Sequence, residues 1–542
     1  MRAIGRGESR DRRIRGRAIL GPAPLPAPDS SVLRAATLLL SLAVISLPAP
    51  VEAQQLSPAE IERGVESARP DAFALYRELL ALPNVASDAE AIDLLVGWLE
   101  GAFDERGFDT ERLPTGGRPL LFAERRIPDA DRTVLVYLQA DGQPVDPSAW
   151  DQESPWVPVL KERTPEGAWR PIPWERREVE RPDPDWRIFA RSASDSKGPI
   201  AQFLTALSVA EDTGVRPDFD LKVIVDTEEE TGSPHLPAAV ERFGNRLAAD
   251  MLVIFDGPPH TSGRPTLKFG ARGIALATLT TYGPRSPQHS GHYGNWIPNP
   301  AFQLSELLAS LKDDAGRVRI PGWYDGISLD EETRRILEAV PDDEAGLRRQ
   351  FGLAATDSVA GSLQEAVQYP SLNVRGMRAG WVGEEARTIV PATAVAEIDV
   401  RLVVESDPDR LIGLLREHVR DRGYRVLDRP PTEEERLEHP RIATLESTVL
   451  YGAFRTPFES EPGRWLARAL VHLRGEEPVR IRTSGGSIPI SPFVRTLGVP
   501  AVSVPTVNPD NNQHSPNENL LVGHFLDGIE TMLAVLAEPV TP

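Results

Sequence analysis

Residues 223–233 read VIVDTEEETGS, an apolar run that leads into acids and a Gly-Ser turn. The apolar run predicts a buried strand, which places residues 228–230 together at its carboxyl end. Carboxylates a few ångströms apart repel, so such a run is held against a metal ion or splayed into solvent. The solvated alternative is a charge run at a helix start, where acids favour the helix dipole. The triplet alone leaves both interpretations open.

Polar residues follow other predicted strands as well. Residues 133–138 read as a buried strand that leads into Gln139 and Asp141, and residues 251–255 read as another that leads into Asp256. Strands that alternate with helices predict a mostly parallel α/β sheet. Ligands of such sheets bind outside the carboxyl ends of the strands. The repeated polar strand ends therefore favour the metal interpretation.

Length and composition limit the class of protein. A chain of 542 residues is too long for one hydrophobic core and suggests two domains. Sixty basic against eighty acidic residues give a formal charge of −20, which disfavours a nucleic-acid partner and is compatible with cationic metals. The absence of cysteine excludes disulfides, thiolate metal sites, cysteine nucleophiles and a lipid anchor on an N-terminal cysteine.

The first 53 residues have the pattern of a secretory signal peptide. Seven arginines within residues 1–17 precede a short apolar run at 33–47, and small residues follow at 51–53. The apolar run is too short to span a bilayer comfortably. The alternative is a disordered basic tail with a buried helix. We expect an exported protein, periplasmic or secreted, without a stable membrane anchor.

The pattern of apolar and polar residues changes twice after the signal peptide. Residues 274–281 and 394–404 alternate like antiparallel strands, and helical patterns lie between and after them, which is typical of an α+β unit inserted into the α/β domain. Residues 146–188 have no sustained period and predict a long loop. The predicted segments are the two parts of a catalytic domain and an insertion between them: 54–267, 456–542 and, for the insertion, 268–455.

Five short motifs occur in one order along the chain. They are DGQP with a following WD (141–144 and 150–151), RSASDSKGP (191–199), EETGS (229–233), GGSIP (485–489) and HSPNE (514–518). Together they resemble the M20 metallopeptidase family, with the nearest likeness to its carnosinase-like dipeptidase branch. The resemblance runs from about Ser57 to the C-terminus. It implies a catalytic domain of the zinc-peptidase type with an inserted α+β lid and dimerisation domain.

The resemblance also implies a centre with two divalent metal ions, most readily zinc, with manganese or cobalt as alternatives. In this centre Asp195 bridges the ions, Glu230 and His514 complete one site, and Asp256 belongs to the other. Glu229 is then the general base that activates the attacking water.

The sequence departs from the family at the first metal site, and also at Ser196 and at residues 483–484, which are acidic and Arg-Glu in the family. Gln139 stands where the family has the histidine of the first metal site, and a neutral amide oxygen binds zinc more weakly than imidazole. We therefore expect this site to be weak, empty or biased toward manganese. Asp141 is retained, and the resemblance implies a catalytic role in which it orients a metal-bound histidine, here His514.

The inserted segment contributes further residues by resemblance. His289, within QHSG at 288–291, resembles a histidine that reaches the partner subunit's active site and stabilises the oxyanion, which implies a homodimer. Thr388 and Arg401 resemble the lid segment that holds a substrate carboxylate. Backbone amides of the GGS turn are implied to assist: Gly485, Gly486 and Ser487.

The sequence therefore predicts a metal-dependent hydrolase that cleaves peptide or amide bonds in small carboxylate-bearing substrates such as dipeptides. Metal-activated water and the Glu229 base would perform the reaction. One alternative is an amidase or deacylase that acts on N-acyl amino acids. Another is a catalytically weak, metal-dependent binding protein, for which Gln139 is the main argument.

Overall fold

An eight-stranded sheet forms the larger layer of the protein. The computed structural model describes residues 55–176 and 182–540, and the predicted signal peptide lies outside them. The strands, in hydrogen-bonded order, are β1 (Asp109–Leu113), β2 (Leu120–Arg125), β7 (Asp220–Asp226), β3 (Thr133–Gln139), β8 (Met251–Ile254), β20 (Ala501–Ser503), β9 (Thr266–Lys268) and β19 (Val479–Ile481).

The four middle strands β7, β3, β8 and β20 run parallel, so their carboxyl ends share one edge. Strands β1 and β2 extend the sheet in antiparallel pairing. Both β3 and β7 are buried along almost their whole length, because the sheet is covered on both faces. The predicted strands at 133–138 and 223–225 are confirmed.

Helices cover the two faces of this sheet. Tyr76 and Phe525, from two of these helices, stack with ring centroids 4.6 Å apart over the helix Lys197–Asp212. That middle helix is apolar and buried almost all round, as expected of a helix packed between a sheet and other helices. The helices of this layer are Pro58–Leu80, Ala89–Asp104, Lys197–Asp212, Leu236–Arg242, Gly244–Leu247, Glu461–Arg474 and Val522–Ala537.

A small antiparallel sheet replaces the long loop that we predicted over 146–188. Its strands, in order, are β21 (Asn519–Leu521), β6 (Arg187–Phe189), β4 (Val159–Arg163) and β5 (Trp169–Pro171). Phe189 holds the sheet together, since the Trp169 ring packs edge-on at 5.4 Å and the Lys161 ammonium lies 4.3 Å from its centroid. The prediction was wrong because strands of three to five residues are too short to produce a recognisable period.

A second layer is built around a five-stranded sheet. Its strands, in order, are β13 (Asn373–Arg378), β15 (Thr393–Leu402), β11 (Gly273–Tyr282), β17 (Ile442–Tyr451) and β16 (Arg425–Leu427). Buried residues alternate along β11 and β15, as the sequence predicted for an antiparallel sheet with one covered face. The helices of this part of the chain are Ser290–Tyr293, Pro300–Leu311, Glu331–Glu338, Glu344–Gln350, Leu363–Ala366, Pro408–Asp421 and Glu433–Glu438.

Short ribbons complete the architecture. Strand β10 (Gly270–Ala271) pairs with β18 (Phe454–Arg455) where the chain passes between the two large sheets, and β12 (Gln288–His289) pairs with β14 (Ile389–Val390). The mostly parallel sheet with an inserted α+β unit confirms the predicted fold class. The segment boundaries at 268 and 455 stay a prediction. Within the described residues, no helix has the length and apolar character needed to cross a membrane.

Candidate metal centre

Two carboxylates and one imidazole converge in the protein: Asp195, Glu230 and His514. His514 Nε2 lies 3.0 Å from Asp195 Oδ2 and 3.3 Å from Glu230 Oε2. One ligand atom from each residue lies within 4.8 Å of the other two. Carboxylate oxygens with an imidazole nitrogen suit zinc and related divalent ions. These three residues therefore fit a divalent ion.

Each of the three side chains comes from a loop at the end of a buried element. Asp195 lies in the turn that leads into the helix Lys197–Asp212, and Glu230 lies in the short turn Glu229–Thr231 that follows β7. His514 lies in the loop between β20 and β21, with its backbone in the left-handed region at a φ of 60°. The ordered sheet and helices thus fix loops whose own sequences are irregular.

Like charges and burial destabilise the ionised form of several acids in this centre. Burial, with the charges of Asp195 and Glu230, raises the pKa of Glu229 well above its usual range. Burial and Asp195 also raise the pKa of Glu230 to about 8 and that of Asp256 to about 7. A bound cation would relieve this repulsion, so the electrostatics favour metal binding.

Asp195 and His514 form an ion pair inside this acidic surrounding. The hydrogen bond to Asp195 is the main cause that raises the pKa of His514 to about 9. Burial opposes ionisation of Asp195, but hydrogen bonds from His514, Ser196 and Gln139 outweigh it and lower the pKa of Asp195. Asp195 is therefore the acid of this group that stays ionised most readily.

Neutral donors surround the central carboxylate. Gln139 Nε2 and Ser196 Oγ each donate to Asp195 Oδ1 at 2.9 Å, and Gln513 Nε2 donates to Asp195 Oδ2 at 2.8 Å. Gln143 Nε2 donates to Glu230 Oε2 at 2.9 Å. The structure thus brings the predicted residue Gln139 to the centre as a hydrogen-bond donor.

Asp141 contacts different partners from those that the resemblance implied. Its carboxylate is buried and accepts from the backbone amides of Glu229 and Glu230, each at 3.0 Å. Both oxygens point to this turn, so its hydrogen bonds go there and not to His514, which corrects the expected histidine-orienting role. Asp141 instead fixes the backbone that carries Glu229 and Glu230.

Glu518 connects the loop of His514 with the loop of Asp195. Its buried carboxylate accepts from the backbone amides of Ser192, Ser194 and Asp195 at 2.9 to 3.0 Å. It also accepts from Arg191 Nη1 at 2.8 Å and from Ser194 Oγ at 3.0 Å. Glu518 belongs to the HSPNE motif, but the motif alone does not tell which backbone it holds.

Two arginines lie beside the GGS turn. Arg401 Nη1 donates to Ser487 Oγ at 2.7 Å, and Arg272 Nε donates to the Gly485 carbonyl at 3.1 Å. Burial and the nearby charge of Arg401 lower the pKa of Arg272 to about 10. Two guanidinium groups this close favour an anionic ligand between them. Gly486 lies within the same turn, so the structure brings these predicted substrate residues together and adds Arg272.

Tyr451 is close enough to both Arg401 and the acidic centre for their charges to act on its pKa. Burial raises its pKa, the charge of Glu229 raises it further, and the charge of Arg401 lowers it. Tyr451 ends β17 in the second layer, so no local pattern in the sequence indicated that it would lie near Glu229.

His289 and Thr388 lie together in another place. His289 is exposed, and its Nδ1 accepts from the Gly291 amide at 3.0 Å, while the Thr388 carbonyl accepts from the Ser290 amide at 3.0 Å. Neither residue hydrogen-bonds with the acidic centre of the same chain in the part that the structure describes. The role that the resemblance assigns to His289, at the centre of a partner subunit, stays a prediction.

The fold and the ligand set together define a metallohydrolase of the α/β class, with a carboxylate and imidazole centre at the carboxyl edge of a parallel sheet. The family model for peptidase family M20/M25/M40 matches residues 157–538. Because this match spans most of the chain, the protein belongs to that family. The resemblance carried by the five motifs is confirmed, and the protein is a metal-dependent hydrolase.

Relatives are similar over most of their length. The Cys-Gly metallodipeptidase DUG1 of Candida albicans is 25% identical over 491 residues, which cover 86% of this chain and 94% of that protein. The Beta-Ala-His dipeptidase of Homo sapiens is 24% identical over 444 residues, with 79% and 80% covered. The solved M20 family metallo-carboxypeptidase Sso-CP2 of Sulfolobus solfataricus has a TM-score of 0.72 at 27% identity, with 86% of this chain and 98% of that chain covered.

Proposed function

We propose that the protein is an exported, homodimeric zinc dipeptidase whose substrates carry a free carboxylate. The observation that carries this proposal is the position of Glu229, which adjoins the ligand Glu230 and is surrounded by the charges of Asp195 and Asp256. The dipeptidase names of the relatives support the substrate class. Carboxylate and imidazole ligands support zinc, with manganese or cobalt as alternatives.

The chain's own residues divide the chemical work. A divalent ion held by Asp195, Glu230 and His514 would supply Lewis acidity toward a carbonyl oxygen and a water molecule. Glu229, with its raised pKa, can accept the proton of the attacking water and pass it to the leaving amine. Asp141 keeps Glu229 in place through its backbone amide.

Arg401 supports the choice of a substrate with a carboxylate. It lies beside Ser487 and Arg272, and the charges of both Arg401 and Glu229 act on the pKa of Tyr451. A carboxylate that binds to the guanidinium groups would leave the adjoining amide bond directed toward the acidic centre. Arginine suits this task because its planar fork matches a carboxylate.

The test is turnover of a mixed panel of dipeptides and N-acyl amino acids by metal-free protein reconstituted with zinc, manganese or cobalt. We expect dipeptides to be hydrolysed, a chelator to abolish the activity, and Arg401→Met to raise KM more than it lowers kcat. Turnover of N-acyl amino acids with inert dipeptides would favour the deacylase alternative. A panel without turnover, with metal still bound, would refute the hydrolase proposal and favour the binding protein.

The exposed aromatic surface around His289 supports the homodimer. Trp296 is 80% exposed and Tyr293 is 42% exposed, and His292 packs 4.7 Å from the His289 ring. Exposed aromatic clusters of this kind are typical of surfaces that bind another protein. We propose that this surface meets a second copy of the chain and presents His289 to the partner subunit's centre.

Mixed dimers test this arrangement. One chain would carry Glu229→Ala and the other His289→Ala, and each variant alone would be inactive. If His289 acts across the interface, random mixing should restore about a quarter of the wild-type sites, since one site of each heterodimer is intact. No recovery in dimers shown to mix would refute the proposal.

The predicted signal peptide supports export. Fractionation of cells that express the full chain should find the protein outside the cytoplasm, and its N-terminal sequence should begin near residue 54. Retention of residues 1–53 in a cytoplasmic protein would refute the export proposal.

A further inference from the structure

The side of the centre that faces Asp256 contains a lysine. Lys268 is the last residue of β9 and pairs with Ser503 of β20 and Ile481 of β19. Its Nζ lies 3.5 Å from the position that a Cβ on Gly257 would occupy. The lysine thus reaches past β20 to the turn after β8, where Asp256 precedes Gly257.

Lys268 and Asp256 act on each other electrostatically. Burial and the charge of Asp195 raise the pKa of Asp256, and the charge of Lys268 opposes this rise. In turn, burial lowers the pKa of Lys268, and the charge of Asp256 opposes this lowering. Across residues 55–176 and 182–540, Lys268 Nζ has no hydrogen bond and no ion pair within 4.0 Å. Its charge is therefore not neutralised by a closer partner than Asp256.

Gln139 also disfavours an ion at this position. It directs an N–H group to Asp195 Oδ1 at 2.9 Å, whereas an ion needs lone pairs from its surroundings. Gln139 Oε1 is buried and has no hydrogen-bond partner in the described part of the chain. This oxygen is a single neutral ligand, which attracts a cation more weakly than a carboxylate or an imidazole does.

The two halves of the centre therefore differ in what they offer a cation. Asp195, Glu230 and His514 have three ligand atoms within 4.8 Å of one another, and Asp256 belongs to no such group among the described residues. The residues fit one divalent ion on the His514 side. They do not fit a second ion on the Lys268 side.

We propose that the centre binds one divalent ion, held by Asp195, Glu230 and His514, and that Lys268 replaces a second ion beside Asp256. This inference rests on the proposed metal-dependent function and replaces the expected count of two ions by one. The ammonium group supplies a positive charge that partly neutralises Asp256 without a coordination bond. Lys268 thus acts on the centre indirectly, through the carboxylate of Asp256.

The test counts ions without any substrate. Metal-free protein is saturated with zinc, passed over a desalting column and measured by elemental analysis, and the same titration is followed calorimetrically. We expect one zinc per wild-type chain and none in His514→Ala. Two zinc ions of comparable affinity in the wild-type protein would overturn the inference, whether or not the protein hydrolyses dipeptides. One zinc in an inactive protein would support the inference and contradict the proposed function.

Variants test the part played by the lysine. The double variant Gln139→His with Lys268→Met should bind two zinc ions, because it restores a ligand and removes the competing cation. Gln139→His with Lys312→Met is the matched control, since Lys312 is a remote lysine near Asp357, and it should bind one. Lys268→Arg keeps the positive charge and should bind one zinc with unchanged affinity. This variant tests the role of the charge even if the methionine variant folds poorly. Equal zinc counts in the double variant and its control would overturn the role of Lys268.

Discussion

Replacement of Glu518 by glutamine preserves the shape of a buried side chain, removes its charge and turns one of its two acceptor atoms into a donor. Oε1 accepts from Ser194 N, Ser194 Oγ and Asp195 N, and Oε2 accepts from Ser192 N and Arg191 Nη1. An amide offers one acceptor oxygen and one NH₂ donor. In either orientation, the NH₂ group would face at least two of these five donors.

The magnitude follows from the buried ion pair. The side chains of Arg191 and Glu518 are 3% and 1% exposed, so water cannot solvate one of them when the other loses its charge. Loss of one partner of a buried pair costs about 3–5 kcal/mol, and a buried donor without an acceptor costs about 1–3 kcal/mol. These two costs overlap at Arg191. We expect Glu518→Gln to lower the free energy of unfolding by about 3–5 kcal/mol.

Urea denaturation of the metal-free protein, followed by tryptophan fluorescence, measures this difference. Glu433→Gln is the matched control because it breaks an exposed ion pair with Arg285, and it should cost less than about 1 kcal/mol. If Glu518→Gln also costs less than about 1 kcal/mol, the reasoning is refuted. The carboxyl group would then already be protonated in the folded protein.

Three further predictions concern the base, the ligands and the packing of the first ligand loop. Glu229→Ala should abolish turnover and leave the zinc content unchanged, as measured by kinetics and elemental analysis; wild-type turnover would contradict the general-base role. Because the pKa values of Glu230 and His514 are raised to about 8 and 9 in the metal-free protein, zinc binding at neutral pH should release protons and weaken as pH falls. Calorimetry in buffers of different ionisation enthalpy detects this release, and equal heats would contradict it. Gly198→Ala should lower the free energy of unfolding by about 1–3 kcal/mol, because the new Cβ would lie 2.4 Å from the Ala193 carbonyl oxygen. Gly413→Ala, inside the helix Pro408–Asp421, should instead raise it by about 0.5–1 kcal/mol in the same denaturation experiment, because the new Cβ would meet no atom within 4 Å.

Local patterns were sufficient to predict the parts of the centre that follow buried parallel strands. Apolar runs before Gln139, Glu229 and Asp256 indicate burial on both faces of a sheet, and parallel pairing brings the ends of such strands to one edge. The strands β4 and β5 escaped prediction because five and three residues are too few to produce a recognisable period.

The partners of individual side chains were not predictable in the same way. Asp141 was recognised by its motif, but its hydrogen bonds to the Glu229 and Glu230 amides depend on the geometry of a turn. Lys268 gave no signal, because its approach to Asp256 requires β9 and β8 to flank β20, which is encoded more than two hundred residues later in the chain. Pairings of this range are decided by the whole fold.

On the ribosome, the eight-stranded sheet stays open in the middle until the last part of the chain has been made. β20 fills the gap between β8 and β9, and the whole second layer is synthesised before it. His514 follows Asp195 by 319 positions, so the third ligand emerges later still. Until then the nascent chain exposes apolar strand edges and has no complete ligand set. Chaperones therefore have a long interval in which to hold this chain, and metal capture can only be among the final events of its maturation.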